Sequence, residues 1–156
     1  MENIFLKFLD LMASFEKNDV EYIVIGGLAI NLHGFARNTQ DIDLFIKPGK
    51  ENVQRLKKAL MEIFDDPEIE EITPGELDKY PVIRYASKSG ILIDLICKIG
   101  DKFNFDDLGY VIKVIDGVKI KFADLKTLYK LKEKTYREID QLDLKFIKSK
   151  LDNNAG

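Results

Sequence analysis

The 156-residue chain has a single cysteine, a single histidine and no tryptophan. A lone Cys97 excludes an intramolecular disulfide and cysteine-rich zinc sites. A lone His33 removes His-pair metal motifs and any triad that needs a second histidine. Chemistry is left to carboxylates, lysines and backbone. Long apolar runs are missing too: no stretch approaches the 18 or so uninterrupted apolar residues that a membrane span needs. Met1 to Phe15 is apolar, but Glu2, Lys7 and Asp10 interrupt it and no small-residue cleavage site follows. The expected location is cytoplasmic, without a membrane. Concentrated positive charge is also scarce. The chain carries 24 basic and 27 acidic residues, for a net charge of -3. Residues 101–156 hold 12 basic against 10 acidic residues, which is not the dense basic footprint of a dedicated nucleic-acid binder. A structured RNA read by shape stays open.

What is present suits one globular core. The composition is 46% hydrophobic and 33% charged, far from the signature of disorder, and the length fits a single domain over 1–156. Phe5, Phe8, Leu9, Met12 and Phe15 recur at helical spacing, predicting a helix over 3–17. Tyr22–Ile25 reads as a buried strand ending in Gly26-Gly27, and residues 28–35 as a short helix. Asp41–Ile46 reads as a strand stopped by Pro48-Gly49. Val53, Leu56, Leu60, Ile63 and Phe64 mark another helix. Residues 65–78 hold seven acids and no base, which predicts an exposed irregular segment with a short helix near Glu76. Residues 82–87 and 91–97 form one expected hairpin. Residues 110–115 and 118–122 form a second, across an Asp116-Gly117 turn of type I′. Two helices, near 123–134 and 138–151, close the chain as a C-terminal helical extension over 123–156. The expected class is α+β: a mixed β-sheet with helices packed mainly on one side, plus C-terminal helices.

The most informative stretch is Gly26-Gly27 followed, after thirteen intervening residues, by Asp41-Ile42-Asp43. Residues i and i+2 of a strand share a face, so both carboxylates project together near the strand's start. Like charges so close repel, which raises at least one pKa unless a cation lies between them. A divalent ion resolves this, and magnesium or manganese suits oxygen ligands, commonly alongside substrate phosphates. A Gly-Gly turn opening a helix lets backbone N–H groups approach an anion. Asp94, alone within Ile-Leu-Ile-Asp-Leu-Ile, supplies a third acid, costly if buried without a partner. Each feature has a plainer reading: a Gly-Gly turn and an Asp-x-Asp strand are common, and Asp94 alone fits a strand end or a solvent-facing position. It is their succession that points to a site.

These residues, together with Arg37 and Thr39 ahead of Asp41, resemble the nucleotidyltransferase superfamily of the DNA polymerase β type. The resemblance is to its small prokaryotic branch of abortive-infection toxin-type enzymes. A weaker match, Lys132, Arg137, Asp140 and Asp143, resembles a late Lys/Arg/Asp block of that branch. The resemblance spans roughly residues 20–147. It implies that Asp41, Asp43 and Asp94 hold Mg2+ (or Mn2+) and carry catalysis, Asp94 also helping to deprotonate an acceptor hydroxyl. Gly26 and Gly27 would cradle the triphosphate, Lys132 would sit near the phosphates, and Arg37 and Thr39 would support the loop or nucleotide. The implied reaction transfers a nucleoside monophosphate from an NTP, ATP among them, to the hydroxyl of an RNA, protein or small molecule. Pyrophosphate leaves. The alternative is a non-catalytic nucleotide-binding or antitoxin-like module with the same fold and a partner protein. Many members have Gly-Ser in place of Gly26-Gly27, and many carry a larger C-terminal helical region than the 34 residues after Phe122. The acceptor-binding half is therefore expected to be minimal or supplied by another chain. His33 is expected to pack or bond within its loop, and Cys97 to be an inert core thiol.

Overall fold

A computed structural model describes residues 4–36, 38–99, 103–132 and 138–154, without the side chains of Phe103, Lys132, residues 138–141 and Asn154. In chain order the elements are α1 (Ile4–Lys17), β1 (Tyr22–Ile25), α2 (Gly26–Leu32), β2 (Asp41–Ile46) and α3 (Lys50–Phe64). A 3-10 turn (Pro67–Glu71), α4 (Pro74–Lys79), β3 (Ile83–Ala86) and β4 (Leu92–Ile96) follow. Then come β5 (Lys98–Ile99), β6 (Phe103–Asn104), a 3-10 turn (Phe105–Asp107), β7 (Tyr110–Ile115), β8 (Val118–Ala123), α5 (Leu125–Lys132) and α6 (Glu138–Asn154). Six strands form one sheet in the order β3-β4-β2-β1-β8-β7. It is mixed, since β2 runs parallel to β4 and β1 parallel to β8, while the remaining pairs are antiparallel.

Alternation along β2 assigns the two faces of this sheet. Ile42, Leu44 and Ile46 point to one side and are wholly buried. Tyr22, the partner of Ile46, shares that side and meets Phe15 of α1 edge-on at 5.1 Å between ring centroids. Tyr85 of β3 meets Phe64 of α3 there at 5.5 Å. So α1 and α3, which pack on each other, cover this face. Phe8, Leu11, Met12 and Phe15 of α1 are fully buried, the i, i+3, i+4, i+7 stripe an amphipathic helix turns to a core. Buried Asn52 ties α3 to the strand ends: its amide donates to the carbonyls of Glu21 (2.9 Å) and Lys47 (2.8 Å), and its oxygen accepts from the Glu21 N–H (2.7 Å). The opposite face carries Asp41, Asp43 and Phe45, and the β4-to-β7 connection touches it where Phe105 approaches Phe45.

The expected class, strands and hairpins are present, and Asp116 and Gly117 take φ of 50° and 80°, as a type I′ turn requires. Three details differ from expectation. First, α2 begins at Gly26, not Leu28, so the glycines are its first turn. Second, the acidic 65–78 segment is anchored, not a solvated loop. Ile69, Ile72 and Leu77 are buried, and the Asp66 carboxylate accepts from the Tyr85 hydroxyl (2.7 Å) and the Glu68 N–H (3.1 Å). Its helix α4, capped where Thr73 Oγ1 accepts from the Glu76 N–H, lies where a short helix was expected. Third, the two-residue pair β5–β6 left no readable periodicity. Among the described residues, no helix is long and apolar enough to cross a membrane.

Candidate active site

One row of cross-strand partners assembles the site. Ile25, the last residue of β1, is paired with Asp43; Asp43 is paired with Asp94 on β4; and Asp94 is paired with Arg84 on β3. Cross-strand partners share a face, so four neighbouring strands present a glycine turn, two carboxylates and a guanidinium in one line. Asp41, two residues before Asp43, joins them from the same side. Ligand oxygens of Asp41, Asp43 and Asp94 all lie within 4.8 Å of one another, the Asp94 residue being only 8% exposed. Three hard oxygen donors at this spacing fit Mg2+ or Mn2+.

Gly26 is the other wall. Its φ of +70° is a left-handed backbone conformation that L side chains avoid, and a Cβ there would run into the Asp43 carboxylate, lying 2.9 Å from its Cγ. The turn therefore has to be glycine for the carboxylate to stay in place. Ile25 gives α2 no side-chain cap, so the helix that opens at Gly26 starts without one beside Asp43.

The electrostatics turn on Arg84, which sequence reasoning missed. Its Nε donates to Asp94 Oδ1 at 2.8 Å and its Nη2 to Asp94 Oδ2 at 3.0 Å, a bidentate pair. Nη2 also donates to Asp41 Oδ2 at 3.2 Å. The hydrogen bond and charge of Asp94, then the charges of Asp41 and Asp43, push the Arg84 pKa further above its already high value. The cation that a crowded carboxylate pair demands is thus partly supplied by the chain itself. The signal was in the sequence: folding the expected hairpin about Ser89 sets Arg84 opposite Asp94.

The remaining expected residues fall in several places. Thr39 lines a hollow of about 310 Å³ with Ile4, Ser89 and Leu92, two residues before Asp41. Lys132 ends α5, its side chain outside the described set, and Arg37 and Arg137 lie outside the described residues. Asp140 is on α6 without a described side chain, whereas Asp143 is fully buried on the same helix. The His33 ring meets Phe122 edge-on, the packing role expected of it, while its Nε2 lies 2.9 Å from the carbonyl of Ala123 on β8 and not from a group in its own loop. Cys97 is buried, and burial pushes its thiol pKa up to about 11.

Residues 8–102 match the family model AbiEii, described as nucleotidyl transferase AbiEii toxin, Type IV TA system. No curated protein matches the chain. Solved structures of similar fold include the lincosamide antibiotic adenylyltransferase LnuA bound to lincomycin, 18% identical, with 96% of this chain and 97% of that one covered at a TM-score of 0.61. An antigenic nucleotidyltransferase-like protein from Paracoccidioides brasiliensis is 17% identical over 90% of this chain and 74% of its own, TM-score 0.55. ANT(2″)-Ia in complex with adenylyl-2″-tobramycin is 15% identical over 92% and 87%, TM-score 0.54. At these identities the likeness is one of fold.

Proposed function

Because the chain belongs to the AbiEii nucleotidyl transferase toxin family, we propose that it transfers a nucleoside monophosphate from an NTP to an acceptor hydroxyl at the Asp41–Asp43–Asp94 cluster. The observation that carries this reading is the convergence of three carboxylates beside a glycine turn that a side chain would block. Asp41 and Asp43 would hold Mg2+ against the nucleotide's phosphates, and Asp94 would complete the site. A bound divalent ion supplies charge neutralisation at the attacking and leaving oxygens. The acceptor oxygen bonds to the α-phosphorus, the bond from that phosphorus to the bridging oxygen breaks, and pyrophosphate leaves with the negative charge. The hydroxyl proton passes to Asp94. N–H groups of Gly26 and Gly27 would receive the triphosphate, with Thr39, Arg37 and Lys132 supporting the nucleotide. A cytoplasmic setting supplies NTP and magnesium, and the family's toxin–antitoxin context implies a partner protein.

The bidentate Arg84–Asp94 pair favours a second reading, a nucleotide-binding module that does no transfer. The two part on pyrophosphate release. With each α-labelled NTP, Mg2+ and total cellular RNA, protein or small-molecule extracts, the enzyme reading predicts label incorporation matched by pyrophosphate, both absent in Asp43→Asn. Nucleotide binding without pyrophosphate from any acceptor fraction would favour the module.

A further inference from the structure

Both oxygens of Asp94 are engaged by Arg84, so a metal ion drawing on all three carboxylates has to take Asp94 from a guanidinium already bound to it. Building on the nucleotidyltransferase reading, we propose that Arg84 is a two-position guard of the metal site. It neutralises the carboxylate cluster when no ion is bound and swings off Asp94 when one binds.

Three observations support this. The guanidinium and a divalent ion answer the same need: three carboxylates this close repel one another, and either cation placed among them relieves that repulsion. The Arg84 side chain is 52% exposed, so its departure from Asp94 opens no buried cavity, whereas the Asp94 side chain is only 12% exposed. And there is a place for it to go. A hollow of about 520 Å³ on the outer edge of β3 is lined by Arg84 itself together with Glu68, Glu71 and Glu76. Released from Asp94, the guanidinium meets carboxylates on that side of its own strand. An ordinary half-exposed surface ion pair contributes little and controls nothing. Arg84 differs because its fork holds one carboxylate with two bonds and reaches a second, and both carboxylates belong to the same candidate metal site.

The test titrates Mn2+ alone, by calorimetry, into the full chain. If the ion-ready state is the minor one, apparent affinity is reduced by its fraction, so Arg84→Met should bind Mn2+ about tenfold or more tightly than wild type. Without metal, Arg84→Met should also unfold at a lower temperature than wild type and recover with Mn2+. Arg84→Lys, which keeps the charge without the fork, should lie between, and it decides the matter if Arg84→Met does not fold. Replacing Glu68, Glu71 and Glu76 together by Gln removes the landing place, so it should weaken Mn2+ binding clearly more in wild type than in Arg84→Met; an equal loss in both backgrounds is the general effect of removing three negative charges and overturns the guard. A folded Arg84→Met that binds Mn2+ as wild type does, while Asp43→Asn loses the ion, overturns the guard and leaves the site standing. Absence of Mn2+ binding in wild type and Arg84→Met alike overturns the reading of the site itself.

Discussion

Gly26→Ala puts a single methyl group where the site is tightest. Two costs add. The backbone at φ +70° is left-handed, which costs an L residue roughly 1–2 kcal/mol. The new Cβ would also collide with the Asp43 carboxylate, which has to swing aside because the pairing with Ile25 holds the Asp43 backbone in place. Overpacking of this kind costs typically about 1–3 kcal/mol, so the total loss of stability should be about 2–5 kcal/mol. Gly117→Ala is the control that separates the terms: Gly117 has φ +80° with nothing within 4 Å of its hypothetical Cβ, so it pays the backbone cost alone. Urea unfolding of the two variants beside wild type reads the difference, and Mn2+ titration reads the site. Gly26→Ala should be the less stable of the two and should lose affinity for Mn2+, which Gly117→Ala keeps. Equal destabilisation by the two changes, with Mn2+ affinity intact in both, would refute the reasoning that Gly26 exists to make room for Asp43.

Two further expectations concern the residues set aside from the site. The Cys97 thiol, buried and with its pKa pushed up to about 11, should resist thiol reagents at neutral pH and react only on unfolding; fast labelling of the native protein would place it at the surface. Burial, the largest influence on His33, lowers its pKa below the unfolded value of 6.5. Its stabilising contribution is then complete above pH 6.5 and declines as pH falls through the folded pKa, because the unfolded chain takes up the proton first. Unfolding free energy should therefore drop between pH 7 and 5 in wild type and drop less in His33→Gln.

The strands and their contents were readable because each announces itself locally. Ile42, Leu44 and Ile46 alternate with Asp41 and Asp43, and the Asp116-Gly117 turn fixes its hairpin by backbone chemistry alone. The meeting of Asp94 with Asp43 followed from a family resemblance and not from spacing, since a parallel β2–β4 pairing is a property of the whole chain's topology. Arg84 was legible in principle from the hairpin register, but the register matters only once Asp94 is known to face the other acids. The acidic 65–78 segment misled because its charge count outweighs its three buried apolar residues, and because the partner that holds Asp66 lies nineteen residues away, at Tyr85. Thr39 drew its expected role from the family resemblance, and its place in a hollow beside the β3–β4 turn, two residues before Asp41, could not be read from the sequence.

The most direct test of the central claim is thermal unfolding of wild type and Asp43→Asn with each NTP, with and without Mg2+. A nucleotide at about 100 times its dissociation constant adds roughly 2.7 kcal/mol, which for a chain of this length raises Tm by about 5–10 °C. The account predicts a magnesium-dependent rise of that size in wild type with at least one NTP, and none in a folded Asp43→Asn. An equal rise in both proteins, or a rise indifferent to Mg2+, would contradict it.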